Sequence, residues 1–230
     1  GVDVVRIGLG PSPMLYFAAT PAAGALTPEV QGGIHVTGSH NPANHNGFKM
    51  VLEGAPFFGG DIEDLGRIAG EGRWTSGCGS VENADIATAY VDCLLGALDG
   101  IDPAALSRMS IGWDAGNGAA GPIIETLTAR LPGRHVLLYT SVDGHFPNHH
   151  PDPTIESNLS DLKQAVAESG ADLGLAFDGD ADRLGLLTNL GEMIWPDRLM
   201  MIFAQEVLSR LSRAKIVFDV KCSANLERVI

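Results

Sequence analysis

The sequence predicts an α/β protein of several domains, with mixed sheets flanked by helices and a site in the cleft between domains. Short β-branched runs bounded by Gly and Pro alternate with amphipathic segments, a pattern typical of sheets covered by helices. Hydrophobic residues make up 45% of the 230 residues, which is enough for more than one core. The predicted strands are residues 4–9, 34–37, 48–52, 110–114, 135–140, 172–177, 184–188 and 215–220.

Two long helices follow from the spacing of apolar side chains over residues 85–98 and 197–211. In each, an apolar residue recurs every third or fourth position, which places one stripe against a core. The stripes are Ile86, Tyr90, Cys93, Leu94, Ala97 and Leu98 in the first helix, and Met200, Phe203, Ala204, Val207, Leu208 and Leu211 in the second. Leu226, Val229 and Ile230 have the spacing of a further short helix.

The composition divides the chain into three units. Residues 70–83 are rich in Gly, Ser and charge, so we predict one unit at residues 1–84 and a second at 85–191. The second unit alternates strands and helices in the order of a βαβαβ domain with right-handed crossovers. A third unit is predicted at residues 192–230.

The formal net charge of −13 argues against nucleic acid and anionic lipid as partners. An anionic substrate would need locally placed Lys and Arg. No apolar run approaches the roughly 20 residues of a membrane span, and no segment reads as a secretory signal. Three separated cysteines without a Cys-x-x-Cys pair favour neither disulfides nor structural zinc. We therefore expect a cytoplasmic protein without membrane contact, as a monomer or weak dimer.

A first chemical segment, the serine loop (residues 37–47), reads Thr-Gly-Ser-His-Asn-Pro at its start and is followed by Phe48 and Lys49. It leaves a predicted strand, and its glycines and proline indicate a tight loop that presents Ser39 at the edge of a sheet. Such a serine can be a nucleophile or a phosphate carrier. The same residues also fit an ordinary polar loop whose side chains bond to backbone amides.

A second chemical segment, the acid loop (residues 178–183), follows a predicted strand and carries Asp178, Asp180 and Asp182. Carboxylates at i, i+2 and i+4 of an extended loop project to one side and can bind a hard cation. Their repulsion favours a metal site over a solvated acidic loop. An EF-hand does not fit, because its sixth and twelfth positions would be Arg183 and Asn189. Arg183 directly after the carboxylates indicates an anionic partner such as phosphate.

Together the two loops resemble those of the α-D-phosphohexomutase family, in which a Thr-Ala/Gly-Ser-His-Asn-Pro loop precedes an Asp-Gly-Asp-Gly/Ala-Asp-Arg loop. The likeness covers essentially the whole chain and is greatest to the bacterial phosphomannomutase/phosphoglucomutase branch. It extends through short segments near residues 10–13, 114–118, 146–153 and 219–222. Gly38 and Ala181 stand where Ala and Gly are more familiar, and neither change removes a functional atom.

The resemblance implies reversible conversion of a hexose 1-phosphate (mannose or glucose, with glucosamine also open) to the 6-phosphate through a hexose 1,6-bisphosphate. It implies a phosphate on Ser39 and a Mg²⁺ held by that phosphate together with the three carboxylates. Arg183 is then expected to stabilise the transferring group, with Lys49 and His40 as candidates for proton handling or phosphate contact. Lys221 is expected to touch the substrate. Family members also carry an N-terminal strand, a sugar-recognition loop and a phosphate-clamping domain outside these residues, so we expect this chain alone to convert hexose phosphates poorly.

Other interpretations remain open at this stage. A Mg²⁺-dependent phosphatase-like hydrolase, or a non-catalytic module that binds sugar phosphate or metal, could use the same two loops. Gly116-x-Gly118-x-x-Gly121 formally matches a dinucleotide fingerprint, but no acidic residue ends the next strand, so a tight strand-to-helix connection is favoured. For His145, His149 and His150, in a proline-rich loop, we favour a structural role over a metal cluster.

Overall fold

A computed structural model describes residues 1–20, 23–26 and 30–230. Its strands are β1 (Val4–Arg6), β2 (Gly32–Val36), β3 (Phe48–Leu52), β4 (Ala55–Pro56), β5 (Val81–Asn83), β6 (Ser110–Asp114), β7 (Arg134–Leu138), β8 (Leu173–Phe177), β9 (Leu184–Thr188) and β10 (Met193–Ile194). Its helices are α1 (Ser12–Ala18), α2 (Gly60–Gly70), α3 (Ala87–Gly96), α4 (Pro103–Arg108), α5 (Gly121–Thr128), α6 (Ser160–Ser169), α7 (Pro196–Arg210) and α8 (Asn225–Val229), with a 3₁₀ turn at Glu156–Leu159.

The strands in the described ranges form three sheets. The largest has the order β10-β9-β8-β6-β7; β6 is parallel to its neighbours β7 and β8, whereas β9 is antiparallel to its neighbours β8 and β10. An antiparallel sheet joins β2, β3 and β4, and β1 pairs in parallel with β5. Mixed sheets flanked by helices confirm the predicted α/β class.

Two hairpins carry the predicted chemistry. The β2 and β3 strands pair with Val36 opposite Phe48, so the serine loop is the connection between them. The β8 and β9 strands pair with Phe177 opposite Leu184, which makes the acid loop a six-residue hairpin turn. Both segments therefore leave the ends of paired strands, where their backbones are anchored by the ladders.

Separate apolar clusters pack helices against the two hairpins. Met14 and Ala18 of α1 pack with Ile86 and with Tyr90 of α3, and Ile123 of α5 completes the cluster. The other side of α1 covers the inner face of the β2–β3 hairpin through Leu15, Ala19 and Val51. A third cluster packs α6 against the large sheet through Leu162, Val166, Ala176 and Leu187, among others. Helix α1 thus links the serine-loop hairpin to the helices around the large sheet.

The prediction of a strand at residues 215–220 is wrong. The segment is irregular, and Val217 and Val220 are 87% and 95% exposed. A strand needs a neighbour to accept its backbone hydrogen bonds, and no other strand in the described part of the chain lies beside this one. β-branched composition alone does not supply that partner.

Both long helices exist, but their predicted stripes are partly wrong. In α3 the buried residues are Tyr90 and Val91, and Cys93 is exposed. In α7 the buried residues are Leu199 and Ala204, whereas Phe203 and Leu211 are 53% and 65% exposed. Tyr90 and Ala204 are buried as predicted, whereas Val91 and Leu199 lie outside the predicted stripes, because tertiary neighbours decide which side of a broad apolar face is covered.

No helix in residues 1–20, 23–26 or 30–230 combines the length and apolar character that a membrane crossing requires.

The short helix predicted near Leu226 is present as α8, and Leu226 is fully buried.

Candidate active site

The serine loop presents Ser39 in a strained conformation. Its φ is +51°, a region that few non-glycine residues adopt. The loop holds this geometry because the Ser39 amide donates to Thr37 Oγ1 at 2.8 Å and the Asn41 amide donates to Gly38 O at 2.9 Å. The Ser39 hydroxyl donates to Asp178 Oδ2 at 2.8 Å and lies 3.2 Å from His40 Nδ1. The serine oxygen is therefore shared between the two loops.

The acid loop brings its three carboxylates together. One oxygen each from Asp178, Asp180 and Asp182 lies within 4.8 Å of the others. Asp178 and Asp180 are buried and Asp182 is exposed. Asp180 Oδ1 is buried and accepts no hydrogen bond. Oxygen donors at this spacing, one of them unsatisfied, fit a hard divalent cation such as Mg²⁺.

Lys49 joins the serine-loop hairpin to the acid loop. It lies on β3 opposite His35, on the face that α1 covers. Its ammonium donates to Asp180 Oδ2 at 2.5 Å and to Asp182 Oδ2 at 2.6 Å. Burial alone would lower the pKa of Lys49, but the hydrogen bonds to both carboxylates outweigh burial, and the pKa is raised. The lysine therefore carries a positive charge beside two members of the acidic group.

Arg183 spans the acid loop and a neighbouring loop. Its Nε donates to Asp178 Oδ2 at 3.1 Å, and its Nη1 donates to Asp152 Oδ1 at 3.2 Å. The backbone amide of Arg183 donates to Asp178 Oδ1 at 3.0 Å. The Nη2 atom is buried without a partner. The guanidinium thus keeps an unused donor close to Ser39's hydrogen-bond partner Asp178.

Neighbours and burial separate the pKa values of the two buried carboxyls. Burial raises the pKa of Asp178, and the charges of Asp180 and Asp182 add to the rise, against hydrogen bonds from Arg183 and Ser39. Burial also acts to raise the pKa of Asp180, but hydrogen bonds led by that of Lys49 bring it to about 2. Asp178 is therefore the carboxyl that gains most from a neighbouring cation.

The two loops touch through backbone as well as side chains. A Cβ placed on Gly179 would lie 2.2 Å from the Ser39 carbonyl oxygen, so only glycine permits this approach. On its other side, Gly179 O accepts from the Ala119 amide at 2.9 Å, in the connection between β6 and α5. That connection, which formally matches a dinucleotide fingerprint, is here a tight strand-to-helix loop that supports the acid loop.

The structure brings together seven of the eight predicted site residues: Ser39, His40, Lys49, Asp178, Asp180, Asp182 and Arg183. It does not bring Lys221 to them. The Lys221 side chain is 84% exposed and its ammonium pairs with Asp219 at 3.3 Å. A substrate role for Lys221 stays a prediction.

Sequence reasoning missed two buried polar residues at this site. The Ser12 hydroxyl donates to Asp180 Oδ2 at 2.6 Å. Asp152 Oδ1 accepts hydrogen bonds from Arg183 and from the amide and hydroxyl of Thr154. Both lie in segments that the family resemblance included. The available signal was their position between prolines: Pro11 and Pro13 flank Ser12, and Pro151 and Pro153 flank Asp152. Prolines on both sides fix a backbone so that one polar side chain is held in place.

The histidine-rich loop has a structural arrangement. His149 Nε2 lies 2.9 Å from Asp114 Oδ2 at the end of β6, and the His149 ring packs edge-on against Tyr139. His150 packs edge-on against His40. In the described residues, the acid loop is the group of three or more His, Cys, Asp or Glu side chains positioned to share a metal, and the histidines do not form such a group.

A cavity of about 270 Å³ opens beside Ser39, between the serine loop, the β6–α5 connection and the residues Val142, Gly144 and Phe146. A larger cavity of about 540 Å³ lies between α7 and α8 and includes none of the predicted site residues. Of the two, the smaller cavity adjoins the convergent polar groups, as a ligand site would.

A serine hydroxyl, three carboxylates and two cationic side chains within hydrogen-bond reach suit phosphoryl chemistry. The carboxylates provide a cation site, the cations can neutralise phosphate oxygens, and the serine oxygen can carry a phosphoryl group.

Comparison with known proteins identifies relatives along the full chain. The phosphomannomutase/phosphoglucomutase of Pseudomonas putida is 43% identical over 230 residues, which is 100% of this chain and 47% of that protein. The phosphoglucomutase of Neisseria gonorrhoeae is 44% identical over 223 residues, 96% of this chain and 46% of that protein. The crystal structure of a phosphoglucomutase/phosphomannomutase family protein from Burkholderia thailandensis is 46% identical with a TM-score of 0.90, covering 100% of this chain and 49% of that one.

The chain thus spans about half the length of the relatives it matches. Two family models also match it. Phosphoglucomutase/phosphomannomutase, alpha/beta/alpha domain I, matches residues 1–71, and alpha/beta/alpha domain II matches residues 88–191. The resemblance drawn from the two loops is confirmed, and the chain belongs to the phosphoglucomutase/phosphomannomutase family.

Proposed function

We propose that the whole protein interconverts hexose 1-phosphate and hexose 6-phosphate through a phosphoserine at Ser39 and a hexose 1,6-bisphosphate. The observation that carries this proposal is the 2.8 Å hydrogen bond from Ser39 Oγ to Asp178 Oδ2, which joins a strained serine to a cluster of three carboxylates. The relatives are a phosphomannomutase/phosphoglucomutase and a phosphoglucomutase, which favours mannose or glucose as the sugar.

The cation we propose is Mg²⁺, held by Asp178, Asp180 and Asp182 with an oxygen of the Ser39 phosphate. The unpartnered Asp180 Oδ1 and the raised pKa of Asp178, caused first by burial, support a cation at this point. When bound, Mg²⁺ supplies charge neutralisation for the phosphoryl group in transit.

The chain's own residues handle the rest of the transfer. A sugar hydroxyl forms a new P–O bond as the bond from phosphorus to Ser39 Oγ breaks, and the hydroxyl proton balances the charge left on the serine oxygen. His40 Nδ1, 3.2 Å from that oxygen, is the proposed carrier of this proton. The bisphosphate then reorients within the site. The same steps in reverse transfer its other phosphate to Ser39.

Positive side chains hold the phosphate oxygens. Arg183 offers the buried Nη2 donor, and its other nitrogens are fixed by Asp178 and Asp152. Lys49, charged and bonded to two carboxylates, is the second proposed phosphate contact. Donors fixed before the substrate arrives need little reorganisation when charge moves during the transfer.

We also propose the division into units at residues 1–84, 85–191 and 192–230, with the site where the first two meet. The matches of two family models to residues 1–71 and 88–191 support it. A cytoplasmic location and a monomer or weak dimer complete the proposal.

The test begins with a mass spectrum of the full-length protein, in which the peptide containing Ser39 should carry an added phosphoryl group. The Ser39→Ala variant should then lose turnover of glucose 1-phosphate by about two orders of magnitude or more, because the covalent carrier is gone. Ser107→Ala, on α4, removes a hydroxyl that donates only to Pro103 O and should leave turnover unchanged.

Undiminished conversion by Ser39→Ala would contradict the phosphoserine assignment. Release of inorganic phosphate without isomerised sugar would instead favour the hydrolase, and a protein that neither carries phosphate nor turns over would favour the binding module.

A further inference from the structure

Ser12 is a fully buried polar residue that the proposed reaction does not use. Its exposed fraction is 0%, and it is the first residue of α1. Its hydrogen-bond partners lie 37 and 168 residues away along the chain, in β3 and in the acid loop. A buried hydroxyl destabilises a fold unless it is paired, so these two partners define its place.

Three hydrogen bonds join Ser12 to the site. Its hydroxyl donates to Asp180 Oδ2 at 2.6 Å and accepts from Lys49 Nζ at 3.2 Å. Its backbone amide donates to the backbone carbonyl of Asp180 at 2.7 Å. One residue therefore fixes both the main chain and the side chain of Asp180, and it contacts the ammonium that neutralises that carboxylate.

The two oxygens of Asp180 have different surroundings. Oδ2 accepts from Ser12 and Lys49, whereas Oδ1 is buried with no partner. Rotation of the carboxylate would break the bonds to Oδ2, so those bonds keep Oδ1 in its unpaired position. A buried carboxylate oxygen without a hydrogen-bond donor is unfavourable unless it coordinates a cation.

The helix that carries Ser12 is well anchored. Pro11 precedes it with φ −69°, and Pro13 lies in the first turn. Met14, Leu15 and Ala18 are buried on either side of α1. Because proline restricts the backbone and the apolar residues fix the helix, the Ser12 hydroxyl approaches Asp180 from a rigid support.

We propose that Ser12 is a positioning residue for the cation site, which holds Asp180 so that its Oδ1 is free for the ion and keeps Lys49 on Oδ2. The inference rests on the proposed function, in which the acid loop binds Mg²⁺. Ser12 acts through Asp180 and Lys49, and it touches neither substrate nor the transferring phosphate. Groups that orient metal ligands commonly change metal affinity about 10–100-fold when removed.

The experiment is calorimetric titration of Mg²⁺ into the full-length protein and its variants, with thermal unfolding recorded in parallel. Ser12→Ala should weaken Mg²⁺ binding about tenfold or more. Ser12→Thr keeps the hydroxyl and should keep the parent affinity. Ser110→Ala is the matched control, because it removes another buried serine hydroxyl, one that accepts from Arg134 Nε at 2.9 Å away from the acid loop.

Each result has a distinct meaning. A parent protein that does not bind Mg²⁺ contradicts the proposed function itself. A parent that binds, with Ser12→Ala binding equally well, overturns the role of Ser12 alone. Equal weakening by Ser12→Ala and Ser110→Ala, or a folded Ser12→Thr that binds as weakly as Ser12→Ala, also overturns it. If Ser12→Thr does not fold, the comparison of the two alanine variants decides.

Discussion

The backbone of Gly179 lies so close to Ser39 that a Cβ at position 179 would come within 2.2 Å of the Ser39 carbonyl oxygen. That contact brings the acid loop against the serine loop, and a backbone atom cannot move aside as the end of a flexible side chain can. We predict that Gly179→Ala separates the loops, breaks the Ser39–Asp178 hydrogen bond and reduces phosphoryl transfer by about tenfold or more, the effect expected from misplacing reacting groups by an ångström.

Kinetics of hexose phosphate conversion by the full-length protein would measure this loss. The matched control is Gly66→Ala on α2, since a Cβ there meets nothing within 4 Å and the residue is exposed on a helix. Parent-like turnover in Gly179→Ala would mean that the loops can part without consequence.

Ala181 occupies a left-handed conformation, with φ +54°, in the acid loop. Glycine reaches this region without the steric penalty that a Cβ introduces, although it loses more entropy on folding. We predict that Ala181→Gly raises the free energy of unfolding by about 1 kcal/mol, because relief of the strain exceeds the entropy loss. Chemical denaturation without added metal would measure the change.

The control for this prediction is Ala176→Gly on the neighbouring strand β8. Ala176 is 3% exposed and has no positive φ, so glycine there should lower the free energy of unfolding. The same loss in both variants would show that the conformation of residue 181 stores no strain.

How far the sequence predicts this site depends on the range of the interactions. The carboxylates of the acid loop are spaced within five residues, so their convergence could be expected from local geometry. That Ser39 meets Asp178 across 139 residues came from the family resemblance, since no local pattern contains that pairing. The α/β class followed from alternating strands and helices, which is also a local signal.

The wrong or missing predictions concern features that depend on residues distant in the sequence. Residues 215–220 have strand composition, but a strand depends on a partner that composition does not reveal. Cys93 and Val91 differ in exposure because the packing of α3 against α1 and α5 sets the phase of its buried side. The sequence did not predict Ser12 and Asp152 as site residues, because the role of each depends on a charged partner far away in the chain. Ser12 binds Asp180, and Asp152 binds Arg183.

Asp152 binds a different nitrogen of Arg183 from the one that Asp178 binds. Its Oδ1 accepts from Arg183 Nη1 at 3.2 Å and from the amide and hydroxyl of Thr154. We predict that Asp152→Asn lowers kcat about tenfold, since a charge-assisted hydrogen bond contributes about 1.5 kcal/mol and Arg183 would be less firmly held. The amide oxygen still accepts from Thr154, so the loop should keep its shape.

Steady-state kinetics and Mg²⁺ titration of the same samples would test this, with kcat reduced and metal affinity unchanged. Asp143→Asn serves as the control, because Asp143 pairs with the exposed His145 outside the site. The prediction is wrong if both variants keep the parent kcat, or if Asp152→Asn loses metal affinity instead.

His149 and Asp114 form a buried pair that should make stability depend on pH. Nε2 of His149 lies 2.9 Å from Asp114 Oδ2, Nδ1 lies 3.0 Å from the His150 carbonyl oxygen, and Asp114 is fully buried. Both ring nitrogens therefore face acceptors, which suits the charged imidazolium. The hydrogen bond to Asp114 raises the pKa of His149, against burial, and the charge of Asp161 adds to the rise.

A raised pKa in the folded state means that this pair stabilises the fold fully below the unfolded value of about 6.5 and progressively less as pH rises through the folded pKa. We predict that the free energy of unfolding of the parent falls relative to that of His149→Gln as the pH rises from about 6.5 through the raised folded-state pKa of His149. Denaturant titrations of both proteins across this range would measure the difference, and groups that titrate alike in both cancel on subtraction.

His145→Gln is the control, since the His145 side chain is 88% exposed and its pairing with Asp143 is open to solvent. Parallel pH profiles for the parent and His149→Gln would contradict the prediction, because they would show that the pKa of His149 is the same in the folded and the unfolded protein.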